Sequence, residues 1–154
     1  FFPGPQQEQN GIIRHGAKIL YAFSEATVPK VTLIMRKAYG GAFIAMNCKM
    51  MSADVVYAWP IAEIAVMGAE GAVRIIDRHR IEQAEDSQKE YEVCKRAYEE
   101  KFSNPFIAAR KGYVDEVLLP EETTARLTET FRFLADKYEE ETSPAVRKHG
   151  NMPL

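Results

Sequence analysis

Residues 36–46 read Arg36-Lys37-Ala38-Tyr39-Gly40-Gly41-Ala42-Phe43-Ile44-Ala45-Met46, and the segments on both sides have clear structural preferences. The preceding segment, Lys30–Met35, is apolar and β-branched, which predicts a buried parallel strand. The segment Ala42–Met51 contains neither proline nor glycine and predicts a helix. We call the sharp connection predicted between them, made by Gly40, Gly41 and Ala42, the glycine corner.

The glycine corner has two interpretations. A strand, a glycine turn and a helix start direct free backbone N–H groups outward at the positive end of the helix dipole, where they can bind an anion or a developing oxyanion. Alternatively, the glycines only supply the positive φ of a tight connection, which is the commoner use of such a pair. The two glycines alone leave both interpretations open.

The same order of elements occurs a second time. Asp54–Trp59 predicts a buried strand that ends at Pro60, and Glu63–Met67 predicts another strand. Gly68–Val73 follows directly and predicts the start of a helix that extends to about Arg80. Strand, glycine turn and helix in repeated order are typical of an α/β fold with crossover helices.

The remaining segments predict helices, one extended piece and two irregular ends. Helices are expected at residues 8–27, 87–102 and 105–110, and a final helix begins at Pro120. Asn104 is expected to cap the helix at 105–110. Residues 113–118 are expected to be extended, 1–7 to form a loop and 142–154 to form a polar tail. The final helix is expected to pack through Leu127, Phe131, Leu134 and Tyr138.

Size and composition fit one globular domain. The chain has 154 residues, of which 46% are hydrophobic, and this is enough for a core. Its formal net charge is -2, from 20 basic and 22 acidic residues, which argues against a nucleic-acid-binding protein. No apolar run approaches the ~20 residues that cross a bilayer, so no membrane insertion is expected.

Neither the cysteines nor the histidines form a recognisable metal or redox motif. Cys48 and Cys94 lie far apart in the sequence and are expected to be buried, free thiols. His15, His79 and His149 have no ligand partner one helical turn away, so no metal site is expected.

Side-chain nucleophiles are not indicated either. The sequence has no GxSxG, Walker A or GxGxxG motif, and Ser24 and Ser52 have no evident base. What remains are the backbone N–H donors at the glycine corner and at residues 68–71. Such donors stabilise negative charge on an oxygen, as in an enolate or a tetrahedral oxyanion, without any particular side chain.

Short segments along nearly the whole chain match one family. They are FFPG (1–4), QE (7–8), GIIRHGAK (11–18), RKAYGGA (36–42), DVVYAWP (54–60), AVMGAEGAV (65–73), NP (104–105) and KHGNMPL (148–154). In this order they resemble the carboxyltransferase β subunits of biotin-dependent acyl-CoA carboxylases, of the propionyl-CoA carboxylase type.

The resemblance implies a fold and an activity. The implied fold is a crotonase-like (ClpP/crotonase) spiral of ββα units, with residues 1–154 as a single C-terminal carboxyltransferase domain, truncated at its N-terminus. The chain begins with Phe1 and not with methionine, which agrees with a piece of a longer polypeptide. The implied activity is transfer of a carboxyl group from carboxybiotin to a short-chain acyl-CoA, with the fragment alone inactive.

The resemblance also implies site residues. The backbone N–H groups of Gly41 and Ala42 would donate to the ureido oxygen of biotin, with Gly40 shaping the turn. Substrate contacts would involve Tyr39, Phe43 and Ile44, of which Ile44 would shape acyl-chain selection. The biotin side of the site would include Gly68, Ala69 and Gly71. Arg74 departs from the asparagine that the family pattern has there, so no contact is assigned to it.

Partners and alternatives follow from the same resemblance. The implied partners are the acyl-CoA substrate, a biotin carboxylase or biotin carrier subunit, the N-terminal carboxyltransferase domain of a neighbouring subunit, and further copies in a homo-oligomer. The implied location is the cytoplasm, or the mitochondrial matrix in a eukaryote. Two alternatives stay open: a subunit of a biotin-dependent decarboxylase of the sodium-pump kind, and a non-catalytic assembly module.

Overall fold

The computed structural model describes residues 4–137, which form eight α-helices, five strands and two 3-10 turns within that range. The strands are β1 (Val31–Ile34), β2 (Lys37–Tyr39), β3 (Val55–Ala58), β4 (Glu63–Ala65) and β5 (Glu116–Val117). The helices are α1 (Pro5–Gln9), α2 (Ile12–Glu25), α3 (Gly40–Ala45), α4 (Ala69–Ile76), α5 (Arg78–Glu82), α6 (Ser87–Phe102), α7 (Pro105–Arg110) and α8 (Thr123–Phe133). The 3-10 turns span Lys49–Met51 and Pro120–Glu122.

The strands form two parallel sheets. One has the order β1-β3-β5 and the other pairs β2 with β4. Val31 lies opposite Val55 in the first sheet, and Lys37 lies opposite Glu63 in the second. Along the chain, β1-β2-α3 and β3-β4-α4 are therefore two successive ββα units. This confirms the predicted α/β class and the ββα arrangement of a crotonase-like fold.

The core lies around β3. Val56 and Ala58 are fully buried, and Ile34, Ile64 and Val114 pack with them. This explains the nearly continuous apolar sequence of β3, because a parallel strand covered on both faces has no solvent-facing side. Full burial of a side chain such as Val56 contributes roughly 1.5–3 kcal/mol.

Two predicted helices are each split in the structure. The helix expected at residues 8–27 is interrupted at Gly11, which has φ +81, and residues 5–7, predicted as part of a loop, belong to the short helix Pro5–Gln9. The helix expected to run to Arg80 is interrupted at Asp77, whose φ is -103. Pro5 fits its position, because proline is favoured in the first turn of a helix.

The helix predicted at Ala42–Met51 is also wrong in its bounds. It starts at Gly40, so both glycines belong to its first turn, and it ends at Ala45. The cause of the early end is Asn47, which adopts a left-handed conformation with φ +63. Asparagine tolerates this conformation better than most residues.

Several predicted elements are confirmed. Helix α6 spans Ser87–Phe102 as expected. Asn104 caps α7, because its side chain accepts a hydrogen bond of 3.1 Å from the N–H of Ile107. Pro105–Arg110 has the predicted bounds. The strands predicted at 30–35, 54–59 and 63–67 are present but shorter by one or two residues at their ends. Of the extended piece predicted at 113–118 only Glu116–Val117 is a strand, and β2 was not predicted.

The packed face of α8 is predicted in part: Leu127 and Leu134 are partly buried, as expected, but Phe131 is not. Its buried residues are Thr123 and Thr130, whereas Phe131 is 47% exposed. Thr130 shares a hydrogen bond of 2.6 Å with the Tyr57 hydroxyl, and the Trp59 indole donates to Thr123 at 2.9 Å. The hydroxyl face of α8 therefore covers the aromatic residues at the end of β3.

Some predictions lie outside the described residues. These are the FFP start of the chain, Tyr138 of the predicted stripe, the tail at 142–154 and His149 within it. Among residues 4–137, no helix is both long and apolar enough to cross a membrane.

Candidate functional site

A groove opens beside the glycine corner. It has a volume of about 770 Å³ and lies between α2, the corner and the connection from β4 to α4. We call it the corner groove. Ile13 of α2 and Val66 after β4 line it, and both are largely exposed, at 77% and 80%. The corner groove therefore combines apolar walls with the backbone of the corner.

Gly40 has a backbone conformation that glycine adopts more readily than other residues. Its φ is +54, in the left-handed region. A Cβ added to Gly40 would lie only 2.8 Å from the carbonyl oxygen of Val66, closer than carbon and oxygen atoms approach. The corner and the end of β4 thus meet backbone to backbone. The conformational interpretation of the glycine pair is correct for Gly40.

Gly41 and Ala42 carry the two backbone N–H groups that were predicted to act as donors. They lie in the first turn of α3, where N–H groups have no carbonyl one turn earlier to bind. Within residues 4–137, neither amide donates to a backbone carbonyl outside its own secondary-structure element. Both residues line the corner groove. Two donors of this kind can hold an oxygen that carries negative charge.

The other predicted substrate residues lie on different sides of the corner. Tyr39 lines the corner groove together with the glycines. Phe43 packs against the core and borders a second cavity of about 900 Å³ that lies along β1. Ile44 is 40% exposed and borders neither cavity. The structure therefore brings Tyr39, but not Phe43 or Ile44, to the groove beside the corner amides.

The second glycine segment starts α4 and packs against Tyr39. The carbonyl of Gly68 accepts hydrogen bonds from the N–H groups of Gly71 and Ala72, at 3.2 and 3.1 Å. A Cβ added to Gly68 would lie 3.4 Å from Cε2 of the Tyr39 ring. Gly68 lines the corner groove, whereas Ala69, which is buried, and Gly71 do not.

Glu63 belongs to this site, although the sequence did not indicate it. Its carboxylate accepts a hydrogen bond from the Tyr39 hydroxyl. Burial, this hydrogen bond and the charge of Glu63 together raise the pKa of Tyr39 well above its usual value, so the phenol stays protonated. The contact depends on the register of β2 with β4, and a single sequence does not reveal that register.

Within the described range, no three His, Cys, Asp or Glu side chains lie close enough to hold a metal ion. Cys48 and Cys94 are free and buried, as predicted, and burial raises the pKa of the Cys94 thiol. A raised pKa keeps a thiol in its less reactive, protonated form. The polar groups that line the corner groove are backbone amides and the side chains of Tyr39, Glu8 and Lys37. Glu63 is connected to the groove through its hydrogen bond with Tyr39.

Comparison with known proteins points to one family. Residues 1–152 match the family described as carboxyl transferase domain. The chain is 53% identical over 154 residues to the propionyl-CoA carboxylase carboxyltransferase subunit of Haloferax mediterranei, covering 100% of this chain and 29% of that protein. It is 56% identical over 154 residues to the methylmalonyl-CoA decarboxylase subunit alpha of Propionigenium modestum, with the same coverage of 100% and 29%.

A solved structure has the same fold. The transcarboxylase 12S crystal structure, described as a hexamer with methylmalonyl-coenzyme A and methylmalonic acid bound, superimposes with a TM-score of 0.88 at 48% identity. The match covers 100% of this chain and 29% of that one. The chain therefore spans less than a third of the length of the relatives that it matches.

Proposed function

Because this chain belongs to the carboxyl transferase domain family, we propose that it is the biotin-side half of an acyl-CoA carboxyltransferase. In this proposal residues 1–154 are the single C-terminal domain of a longer subunit. The complete subunit transfers a carboxyl group from carboxybiotin to a short-chain acyl-CoA such as propionyl-CoA. We assign the reaction to the longer subunit because the chain spans only 29% of a relative such as the Haloferax mediterranei protein.

The observation that carries this proposal is the pair of amides beside an apolar groove. Gly41 and Ala42 border the corner groove, and neither N–H donates to a backbone carbonyl elsewhere in residues 4–137. Their proposed role is to stabilise negative charge on the ureido oxygen of biotin. A donor in such an oxyanion hole is worth about 3 kcal/mol by analogy with other enzymes. Gly40 contributes by holding the left-handed turn that starts α3.

The residues of the corner groove fit biotin. A Cβ added to Gly41 would meet nothing within 4 Å, so space is open next to the amide. The groove has a volume of about 770 Å³ and apolar walls that include Ile12 and Val66, and these exclude water from a bound ring. When bound, carboxybiotin supplies the carboxyl group that is transferred. Gly68 is the best supported of the three predicted biotin-side residues, since Ala69 and Gly71 lie outside the groove lining.

Tyr39, Phe43 and Ile44 remain the proposed substrate-side residues. Ile44 follows the corner and is 40% exposed, so its apolar side chain is accessible to an acyl group in the complete subunit. Phe43 is partly buried against the core. We therefore assign acyl-chain selection to Ile44 and a supporting role to Phe43.

The proposed assembly is a homo-oligomer in which the N-terminal carboxyltransferase domain of a neighbouring subunit faces this domain. That domain would hold most of the acyl-CoA, and a biotin carrier or biotin carboxylase subunit would present biotin. The hexameric assembly stated for the transcarboxylase 12S structure supports the oligomer.

A specific observation favours a second candidate function. The chain is 56% identical to a methylmalonyl-CoA decarboxylase subunit alpha, so the same corner would serve a subunit that removes the carboxyl group from methylmalonyl-CoA. Both functions move a carboxyl group between an acyl-CoA and biotin, so the partner that purifies with the full-length subunit separates them: a biotin carboxylase for the carboxyltransferase, and a membrane subunit for the decarboxylase.

The test of the proposed function is the Gly41→Pro variant of the full-length subunit, assayed for malonyl-CoA or methylmalonyl-CoA decarboxylation with free biotin. Proline removes one N–H and is tolerated in the first turn of a helix. We expect a loss of at least ~100-fold in rate, as for other oxyanion-hole donors. The matched control is Ser87→Pro at the first position of α6, which removes a first-turn amide outside the corner groove and should leave the rate within about twofold. A folded Gly41→Pro variant with full activity would contradict the proposal.

A further inference from the structure

Three contacts connect the glycine corner to the strand and loop behind it. The Tyr39 hydroxyl donates to Glu63 at the first position of β4. The Tyr39 ring packs on Gly68, where an added Cβ would lie 3.4 Å from Cε2. The backbone of Gly40 approaches the Val66 carbonyl oxygen. Together these contacts span the start of β4, the residue after it and the cap of α4.

Tyr39 has a special position in the chain, because it ends β2 and directly precedes α3. The next two residues are Gly40 and Gly41, which have no side chains and the widest backbone freedom. Their own conformational preferences therefore do not fix where the corner amides point. The last side chain that anchors the backbone before those amides is the side chain of Tyr39.

The Tyr39 hydroxyl is already engaged. A phenol has one O–H, and in Tyr39 it donates to Glu63. In the parallel pairing Lys37 lies directly opposite Glu63, so Tyr39 reaches Glu63 along a diagonal of the sheet, a distance that long aromatic side chains can span. Tyr98 of α6 adds a long hydrogen bond of 3.4 Å to the carbonyl of Met67 on the same loop.

We propose that Tyr39 and Glu63 form a positioning pair, whose hydrogen bond holds the corner against β4 and so fixes the direction of the Gly41 and Ala42 amides. This inference rests on the proposed function of those amides. It adds to the substrate-side role proposed for Tyr39, because the hydrogen bond between its hydroxyl and Glu63 acts on the reaction through the backbone. It also assigns a role to Glu63, which no sequence motif indicated.

The test uses Tyr39→Phe and Glu63→Ala in the full-length subunit with free biotin and methylmalonyl-CoA. Each variant removes the hydrogen bond, and Tyr39→Phe keeps the ring on Gly68. We expect kcat to fall about tenfold while KM for the acyl-CoA stays within twofold. The double variant should fall no further than either single variant, because both changes remove the same interaction. Glu63→Gln, which keeps an oxygen acceptor, should recover most of kcat.

A second measurement does not depend on activity. Hydrogen exchange is followed by mass spectrometry in a peptide covering residues 37–46, with a peptide from α6 as the internal reference. Faster exchange is expected at the corner in Tyr39→Phe and Glu63→Ala, with unchanged exchange in α6. If the wild-type subunit shows no biotin-dependent reaction, the proposed function fails, and this measurement still decides whether the pair positions the corner.

Several outcomes would overturn the inference. These are a Tyr39→Phe subunit with kcat within twofold of wild type, losses that add in the double variant, failure of Glu63→Gln to recover activity, or unchanged exchange at residues 37–46. A fall in kcat that is matched by equally faster exchange in α6 would show a general loss of stability, and this also counts against a positioning role.

Discussion

The two adjacent glycines of the corner are under different physical constraints. Gly40 has φ +54 and almost touches the Val66 carbonyl, so both its conformation and its lack of a Cβ are needed. Gly41 has neither constraint, since its φ is not in the left-handed region and an added Cβ meets open space. The sequence shows only that two glycines are present. The structure shows that only Gly40 must be glycine, because β4 and Val66 lie directly behind it.

Gly40→Ala is expected to lower the free energy of unfolding by more than the cost of placing alanine in a left-handed conformation. The conformation costs a residue other than glycine roughly 1–2 kcal/mol, and the contact with Val66 adds to that cost because backbone atoms cannot move aside easily. The measurement is the free energy of unfolding in urea, determined for the wild-type chain and the variant.

The chain offers two matched controls for this prediction. Gly112 has φ +77 with nothing within 4 Å of an added Cβ, so Gly112→Ala carries the conformational cost alone. Gly41→Ala carries neither cost and should be near neutral in stability. The expected order of destabilisation is Gly40→Ala, then Gly112→Ala, then Gly41→Ala. Equal losses for the first two would show that the Val66 contact is unimportant.

Among the elements, α7 and the strand around β3 were predictable from the residues that bound them. Asn104 and Pro105 mark the start of α7, and Pro60 limits the strand that contains β3. These signals act locally, within one turn or one strand. The break in the first predicted helix at Gly11 was missed, because an isolated glycine in a helical pattern is often tolerated.

The parts that were not predictable depend on contacts between distant elements. Helix α8 buries Thr123 and Thr130 because their hydroxyls meet Trp59 and Tyr57 of the β3 region. The predicted apolar stripe counted hydrophobicity alone, so it included the exposed Phe131 with the partly buried Leu127 and Leu134 and left out the two threonines. Glu63 was missed for the same reason, since its partner lies on another strand.

Asp54 connects three elements through one carboxylate. It accepts a 2.7 Å hydrogen bond from the N–H of Lys30, just before β1, and two from Nζ of Lys137, after α8, at 2.9 and 3.0 Å. Burial alone would raise the pKa of Asp54, but these hydrogen bonds outweigh it and hold the pKa below its usual value. The ionised carboxylate is therefore the form that the fold stabilises.

Asp54→Asn is expected to lower the free energy of unfolding at pH 7 by on the order of 1.5 kcal/mol, the usual worth of a hydrogen bond to a charged group. Because the pKa is lower in the folded state, this contribution is fully present above the usual aspartate pKa near 3.9 and is lost as the pH falls through the lower pKa of the folded state. The difference between wild type and variant should therefore shrink in strong acid, as measured by urea unfolding from neutral pH down to a pH well below the usual aspartate pKa.

The control for Asp54 is Glu82→Gln, which removes an ion pair with Arg78 that lies on the surface of α5. Exposed ion pairs contribute little, so this variant should unfold close to wild type at each pH. A difference between Asp54→Asn and wild type that stays constant from neutral pH to a pH well below the usual aspartate pKa would mean that the effect of Asp54 comes from packing and not from its charge.

At the scale of the whole molecule, the two ββα units place the corner amides, the β4–α4 loop and α2 around one groove. The same units leave β1 at the edge of its sheet, because it pairs only with β3 among the described strands. The second cavity, of about 900 Å³, runs along this edge and is lined by apolar side chains that include Val28, Met35 and Phe131. The corner and the exposed edge therefore lie on neighbouring parts of one surface.

We expect the 154-residue chain, produced alone, to self-associate at micromolar concentration through this edge. Val28, Met35 and Phe131 are 62%, 54% and 47% exposed, and an uncovered sheet edge with apolar neighbours readily pairs with another chain. The measurement is the mass from light scattering over a range of concentrations, which should rise above that of a monomer.

Two phenylalanines on α8 make a matched pair of variants. Phe131→Lys places a charge in the cavity beside β1 and should shift the protein toward monomer. Phe133 is 86% exposed but does not line that cavity, so Phe133→Lys should leave association unchanged. If both lysine variants dissociate equally, the association uses general surface hydrophobicity and not the β1 edge. A wild-type chain that stays monomeric throughout would show that the exposed edge is not sufficient to hold two copies together.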